Sequence, residues 1–238
     1  VAELAKEGKK PWQNDLKPSR YRFVSAEVVN GKLRITLDPG LSYRDYNASQ
    51  KTEFQKKIGA EYVSPIAATV VIRAKNRAGV DHVMVTLRSP EHDFKPEGYH
   101  VSTGGAIEIK KDRSPVDAAF RETKEETALQ SHEVKDLVCR SVIKHKLAFG
   151  NEIIFEATTD VPVEEIIERT KQGQHDKENE LLFIPAAARK LREWMVVPTH
   201  ANVGVTNASM LIIGKDIVEK EEGPEAAKKW YDDMLKFL

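Results

Sequence analysis

Cysteine is almost missing from this chain of 238 residues, which contains only Cys139. A lone cysteine excludes an intramolecular disulfide. Its place in the apolar run Leu137-Val138-Cys139 predicts a small, buried core residue, and a reducing, intracellular compartment is its natural setting. Long hydrophobic runs are missing too. The longest, such as AATVVI and MLII, fall far short of the roughly 20 residues that span a bilayer, so no membrane association is expected. Neither sign of charge prevails: 37 Lys+Arg stand against 37 Asp+Glu. That balance gives no global attraction to nucleic acid or to an anionic surface. The opening VAELAKEGKKPW lacks the apolar core of a signal peptide. The expected location is the cytoplasm, or an organellar matrix where a presequence has been removed upstream. His100, His175 and His200 share no metal-ligand spacing with one another or with Cys139, which argues against a zinc site. P-loop, G-x-S-x-G and dinucleotide-binding fingerprints are also absent.

What is present is an ordinary globular composition, 40% hydrophobic and 31% charged, in a chain long enough to bury a core without staples. YRFVSAEVV and KLRITLDPG are strand-like runs around Asn30-Gly31, a strong two-residue hairpin signal because both turn positions need positive φ. Residues 42–62 are polar and read as a connector. AATVVIRAK (67–75) and DHVMVTLRS (81–89) predict two strands with a turn at Asn76–Gly79. KDLVCRSVIKH, NEIIFEATTD and ELLFIPA are further strands. VEEIIERTKQG and AAARKLREWM predict helices, and so do residues 206–221 and 224–237, parted at Gly223-Pro224. Trp194 and Trp230 sit in helical apolar patterns and are expected in the core. Strands and helices without strict alternation predict the α+β class. The expected organisation is an arm, hairpin and connector over 1–64, a main domain over 65–195, and a C-terminal helical extension over 196–238 packed on that domain.

The chemistry concentrates in VSTGGAIEIKKDRSPVDAAFRETKEETAL (101–129). Ser114, Pro115 and Asp117 form a helix start: a capping hydroxyl, a proline at the first helical position and an acid in the first turn. On the helix that follows, Val116, Ala119, Phe120, Thr123 and Thr127 fall on one side, suited to packing on a sheet. Glu122, Glu125 and Glu126 share another face, within an arc of roughly 100°. Like charges at spacings of three and four repel. A hard divalent cation turns that cost into binding, since carboxylate oxygens are the ligands Mg2+ prefers. Arg121, one turn before Glu125, can pair with it. The plainer reading is a solvated acidic face. Gly104-Gly105, just before, allows a bend and close backbone approach to a ligand.

The segment GGAIEIKKDRSPVDAAFRETKEETAL resembles a Nudix box, G-x5-E-x7-R-E-U-x-E-E-x-G-U with U a bulky apolar residue. Gly104, Gly105 and Glu108 match its G-G-x-x-E opening, and Arg121, Glu122, Glu125, Glu126 and Leu129 its second half. Thr123 replaces the apolar residue and Ala128 the closing glycine. The loop is longer, so the first Glu position falls among Lys111, Asp112 and Arg113. The resemblance implies a Nudix-type α/β/α sandwich around a mixed sheet, carrying the hairpin and the C-terminal helices as extensions. It implies Mg2+, with Mn2+ as a substitute, held by Glu122, Glu125, Glu126 and the Gly105 backbone, and a metal-activated water that cuts a diphosphate linkage. Glu178 and Glu180 are candidates for a further acid or general base, with Glu152 and Glu156 as weaker alternatives. Gly104, Gly105 and Arg88 are candidates for contact with substrate phosphate. The implied partner is a small nucleotide-type molecule, in a chain that a homodimer would suit. DPGLSYRDYNA (38–48) faintly resembles the leader of Nudix enzymes that cleave UDP-sugars, which makes a nucleotide sugar a candidate. The rival readings are a catalytically degenerate Nudix-fold binding or assembly module and, more remotely, an isoprenyl diphosphate isomerase, whose chemistry needs an active-site cysteine that Cys139 does not supply.

Overall fold

Asn30 and Gly31 have φ of 52° and 72°, the two left-handed conformations that a type I′ turn demands. In this computed structural model, which describes residues 17–42, 45, 64–90, 98–101, 103–144, 150–172, 179–197 and 204–237, they join β1 (Pro18–Val29) to β2 (Lys32–Ser42). The expected hairpin is there. Phe23 faces Leu37, Ala26 faces Ile35 and Val28 faces Leu33. Residues directly opposite share a face, so one side of the ribbon is apolar, while the other carries Glu27 and Arg34 at 3.5 Å.

The chain forms two units by its internal contacts. One comprises Val1–Ala68, Gly105–Ala118 and Val142–Ile153, the other Thr69–Gly104, Ala119–Ser141 and Ile154–Leu238. In the first unit the base of the hairpin is stitched to the chain beyond Gly105. The Tyr21 amide donates to the Ile107 carbonyl at 3.1 Å and the Ile109 amide to the Ser19 carbonyl at 3.1 Å. The Phe23 amide donates to Ser64 O at 2.8 Å. Buried Asn151 closes the same region, its Nδ2 donating to Ser64 Oγ at 2.9 Å and to Pro65 O at 3.2 Å.

The remaining strands are β3 (Ile66–Lys75), β4 (Asp81–Arg88), β5 (Tyr99–Val101), β6 (Thr103–Ala106), β7 (Val134–Lys144), β8 (Asn151–Thr159) and β9 (Asn179–Pro185). They form one sheet in the order β5-β4-β3-β8-β7, with β6 paired to β3 and β9 to β4. Strand β4 is its hub. Val83 pairs with both Arg73 and Ile184, and Val85 with both Val101 and Leu182. One edge of β4 is therefore given to β9 and the other is shared by β3 and β5. The β3–β4 turn closes through Asn76, whose Oδ1 accepts from the Val80 amide at 2.9 Å, with Gly79 at φ 81°. Helices are α1 (Pro115–Thr127), α2 (Val163–Lys171), α3 (Ala188–Met195), α4 (Gly204–Glu222) and α5 (Pro224–Leu235), with a 3-10 turn at Ser131–Glu133. The class is α+β, as expected.

Helix α4 is buried over much of its length, with Val205, Met210, Leu211, Ile213 and Ile217, and also Thr206 and Ser209, out of water, the mark of a helix within a core. Gly214 lets α5 approach: a Cβ there would lie 2.2 Å from Cη2 of Trp230. Thr206 Oγ1 donates to Tyr99 O at 2.9 Å, and the Tyr99 ring meets Trp194 edge-on at 4.9 Å. Both tryptophans are half-buried. An ion-pair chain crosses the strands: Arg73 holds Asp81 and, at 3.4 Å, Glu156, while Arg140 holds Glu156 at 3.5 Å and Asp216 on α4.

Two expectations are corrected. Cys139 is exposed, because β7 ends the sheet order and buries none of its residues fully; neighbouring Val138 is 53% exposed. Val116, expected on the packed side of α1, is 40% exposed, since it lies in the first turn while burial begins at Ala118. The connector (42–62) falls, apart from Ser42 and Asp45, outside the described residues.

Gly→Ala inside a helix ordinarily stabilises by about 1 kcal/mol. Here the methyl would overlap the Trp230 ring, and overpacking of that kind costs about 1–3 kcal/mol. Gly214→Ala should therefore lower the urea midpoint, and an unchanged or raised midpoint would contradict the α4–α5 packing. A pH effect follows from Arg169, which donates to both oxygens of Glu133 at 2.9 Å. These hydrogen bonds hold the Glu133 carboxyl below its ordinary 4.5. A depressed carboxyl contributes stability that is complete above its unfolded value and is lost as pH falls through the folded one. Glu133→Gln should flatten the acid limb of the stability curve below about pH 4.5 and leave the chain's response between pH 6 and 8 unaltered, as measured by urea titrations across that range.

Candidate functional site

Helix α1 begins as its sequence dictates. The Asp117 amide donates to Ser114 Oγ at 3.2 Å, and Pro115 occupies the first helical position, where no amide is needed. The Asp117 carboxylate turns back to accept from the Arg113 amide at 2.9 Å, tightening the entry. Further along, Ala119 and Thr123 are 1% exposed and Thr127 is fully buried. This sealed row sets the rotation of the helix about its axis.

The row is partly polar, and its polar groups are satisfied. Thr123 Oγ1 lies 3.2 Å from Oγ1 of Thr103 on β6, itself fully buried. Thr127 Oγ1 donates to Thr123 O at 2.6 Å and accepts from the Leu129 amide at 3.2 Å. A buried hydroxyl without a partner costs about 1–3 kcal/mol, so each link in this ladder supports the next. Sequence reasoning missed Thr103. The available signal was Thr123 itself, a hydroxyl where the box has an apolar residue.

The acids flank this row. Glu122 has a side chain 12% exposed and Glu126 is half-buried, while Glu125 is 46% exposed. Arg121, 15% exposed, donates to Glu122 at 2.5 Å and to Glu125 at 3.1 Å. The expected Arg121–Glu125 pair is present, with Glu122 added. Among the described residues, no three His, Cys, Asp or Glu side chains gather closely enough to hold a metal ion.

Gly104 and Gly105 lie within strand β6, half-buried, and neither adopts a positive φ. The expected bend is thus an extended segment. A pairing with β3 satisfies the backbone there and keeps it straight. The bend comes later. Asp112, 2% exposed, accepts from the Glu108 amide at 2.7 Å and its own amide donates to Glu108 O at 2.8 Å. The residue nearest the box's first Glu position is thereby spent on closing its own loop. Glu108 pairs with Arg20 and with Lys111, each at 3.3 Å. Nothing local in the sequence marks Arg20, since its meeting with Glu108 depends on where β1 is paired.

Arg88 and Glu180 lie on the β4–β9 ladder, Arg88 opposite Asn179 and Glu180 opposite Leu87. Because successive residues alternate faces, the register puts Arg88 and Glu180 on opposite faces of the sheet. Glu180 is exposed and Arg88 half-buried. Glu178 lies outside the described residues. Glu156 is engaged with Arg73 and Arg140 inside β8, and Glu152 is half-buried on the same strand.

No protein-family model matches the sequence, and no curated protein sequence does either. Solved structures that the chain is similar to include a Nudix hydrolase from Alicyclobacillus acidocaldarius, 16% identical over 63% of this chain and 91% of that one, with a TM-score of 0.47. Another is the NUDIX domain of Shewanella oneidensis NrtR complexed with ADP ribose, 14% identical over 70% of this chain and 96% of that one, TM-score 0.44. A third is a C. elegans Ap4A hydrolase, 16% identical over 72% and 99% of the two chains, TM-score 0.37. At these values the likeness assigns neither activity nor substrate.

Ala128 gives the closing residue of the segment a physical test. It follows the last turn of α1 with φ 61°, its amide donating to Lys124 O at 3.1 Å. This left-handed position favours glycine, because a Cβ crowds the next carbonyl. Ala128→Gly should raise stability by about 0.5–1 kcal/mol, read as a higher thermal midpoint. A fall in midpoint would show that the buried methyl outweighs the strain.

Proposed function

We propose that this chain is a Nudix-type hydrolase that uses Mg2+, or Mn2+ in its place, to cut a diphosphate linkage in a nucleoside-diphosphate derivative such as a nucleotide sugar or dinucleotide. The observation that carries this reading is the acid face of α1. Glu122 and Glu126 sit half-buried beside the sealed Ala119–Thr127 row, with Glu125 next to them in solvent. Their place next to the buried row keeps both residues partly out of water, with Glu122 paired to Arg121.

The donors suit a hard cation in kind: all are carboxylate oxygens on one helix. As they stand the three carboxylates do not converge on one point and Arg121 occupies two of them; drawn together, Glu122, Glu125 and Glu126 would hold the ion, which would supply neutralisation of phosphoryl charge and a water of lowered pKa. Arg121 has its own part. By sharing two of the acids, it offsets their mutual repulsion while they carry no cation, and it can be turned over to phosphate oxygens as a fixed cationic fork. Arg88 would contact substrate phosphate from the end of β4 and Glu178 would serve as the further acid or base, since Glu180 lies on the other face of the sheet from Arg88.

One observation favours the second reading, a binding module without turnover. Asp112 is turned into its own loop, which leaves the outer acid of the box unfilled. A panel of nucleotide sugars and dinucleotides with Mg2+ and Mn2+ separates the two: release of nucleotide or phosphate supports hydrolysis, and binding without release supports the module. In the first case Glu122→Gln and Glu126→Gln should each lower turnover by about 100-fold or more with unchanged far-UV circular dichroism and melting. Glu125→Gln should lose a comparable amount. Unaltered turnover in all three would return the cluster to the status of a solvated face.

A further inference from the structure

The box-like segment carries a threonine at position 123 where bulk and apolarity are the rule, and the structure gives that threonine a partner. Thr123 and Thr103 are 1% and 0% exposed, with their hydroxyls 3.2 Å apart. One belongs to the helix that bears the acids and the other stands directly before Gly104 on β6. Apolar packing resists separation of two elements but tolerates some rotation, because dispersion has no preferred direction. A hydroxyl pair is directional. On α1, Glu126 lies about 60° from Thr123 around the helix axis and Glu122 about 100°. A rotation of about 20° would therefore carry their carboxylates roughly 2 Å sideways at the helix's outer radius.

We propose that the Thr103–Thr123 hydroxyl pair is the rotational pin that aims Glu122 and Glu126, so that both threonines are positioning residues for the acid face. This rests on the hydrolase reading and concerns how this chain aims the acids that reading employs. Thr127 extends the pin, since its hydroxyl grips Thr123 O at 2.6 Å and takes the Leu129 amide at 3.2 Å.

The decisive variant is Thr123→Val, made in the full chain. It is nearly isosteric, and it restores the apolar type that the box pattern has at this place. If Thr123 serves only to fill space, the valine should melt at the same or a higher temperature and be at least as active. The pin predicts otherwise: kcat down by about 10-fold or more with KM within about 2-fold, and Mn2+ affinity, titrated without substrate, weakened several-fold. The melting temperature is lowered because the Thr103 hydroxyl is left buried without its partner, a loss of stability that the double Thr103→Val, Thr123→Val variant regains without regaining kcat. Thr103→Val should match Thr123→Val, the double variant should be no worse than either single one, and Thr123→Ser should recover kcat and Mn2+ affinity. Wild-type kcat and Mn2+ affinity in Thr123→Val would overturn the pin while leaving the hydrolase reading intact. A loss that Thr123→Ser fails to recover, or that the double variant regains together with its melting temperature, would also overturn it. A wild-type chain that neither binds Mn2+ nor releases product from the panel would instead bring down the hydrolase reading, and the pin with it.

Discussion

Three like charges within one and a half turns of a helix repel one another, and the second unit is organised so that the helix bears them all the same. The energy comes from the neighbouring face of the helix. Ala119, Thr123 and Thr127 leave water completely or nearly so, and burial of that kind outweighs the few tenths of a kcal/mol lost to each exposed like-charge pair. The capped entry at Ser114 and the hydroxyl ladder at the exit hold both ends of the same helix. With its long axis fixed at both ends and one face sealed, the direction of the acid face is no longer a matter of side-chain choice.

Arginine handles the remaining charge in a recurring way. Arg73 joins Asp81 to Glu156, Arg140 joins Glu156 to Asp216, Arg169 joins Glu133 to Glu165, and Arg121 joins Glu122 to Glu125. Each guanidinium thus serves two carboxylates, as its fork of donors allows. The first three tie different elements together and act as architecture. Arg121 differs, because both its acids belong to its own helix and one is 46% exposed. Exposed pairs are worth about 0–1 kcal/mol, which makes its bond to Glu125 easy to exchange, whereas its bond to Glu122 joins two largely buried side chains.

Much of this was legible in the sequence where short-range rules apply. The Asn30-Gly31 hairpin, the Asn76–Gly79 turn, the Ser114 cap, the Gly223-Pro224 break and the Arg121–Glu125 pair depend on neighbours within four or five residues, and all appear as expected. The expectations that failed concerned burial and, at one place, backbone shape. Cys139 and Val116 are apolar in type, yet an outermost strand and a first helical turn leave them in solvent. Gly104-Gly105 permits a bend, but pairing with β3 takes up the extended form instead.

The sequence by itself determined the local chemistry: which residues are acids, that they share a helix face, and where that helix begins and ends. Periodicity and capping are properties of a few consecutive residues. Tertiary structure alone decided which of the acidic residues are partly buried, that Asp112 turns inward on Glu108, that Arg20 meets Glu108, and that Thr123 finds Thr103 twenty residues away. Those outcomes depend on strand order and register, which join residues far apart in the chain and leave no trace in any short stretch of it.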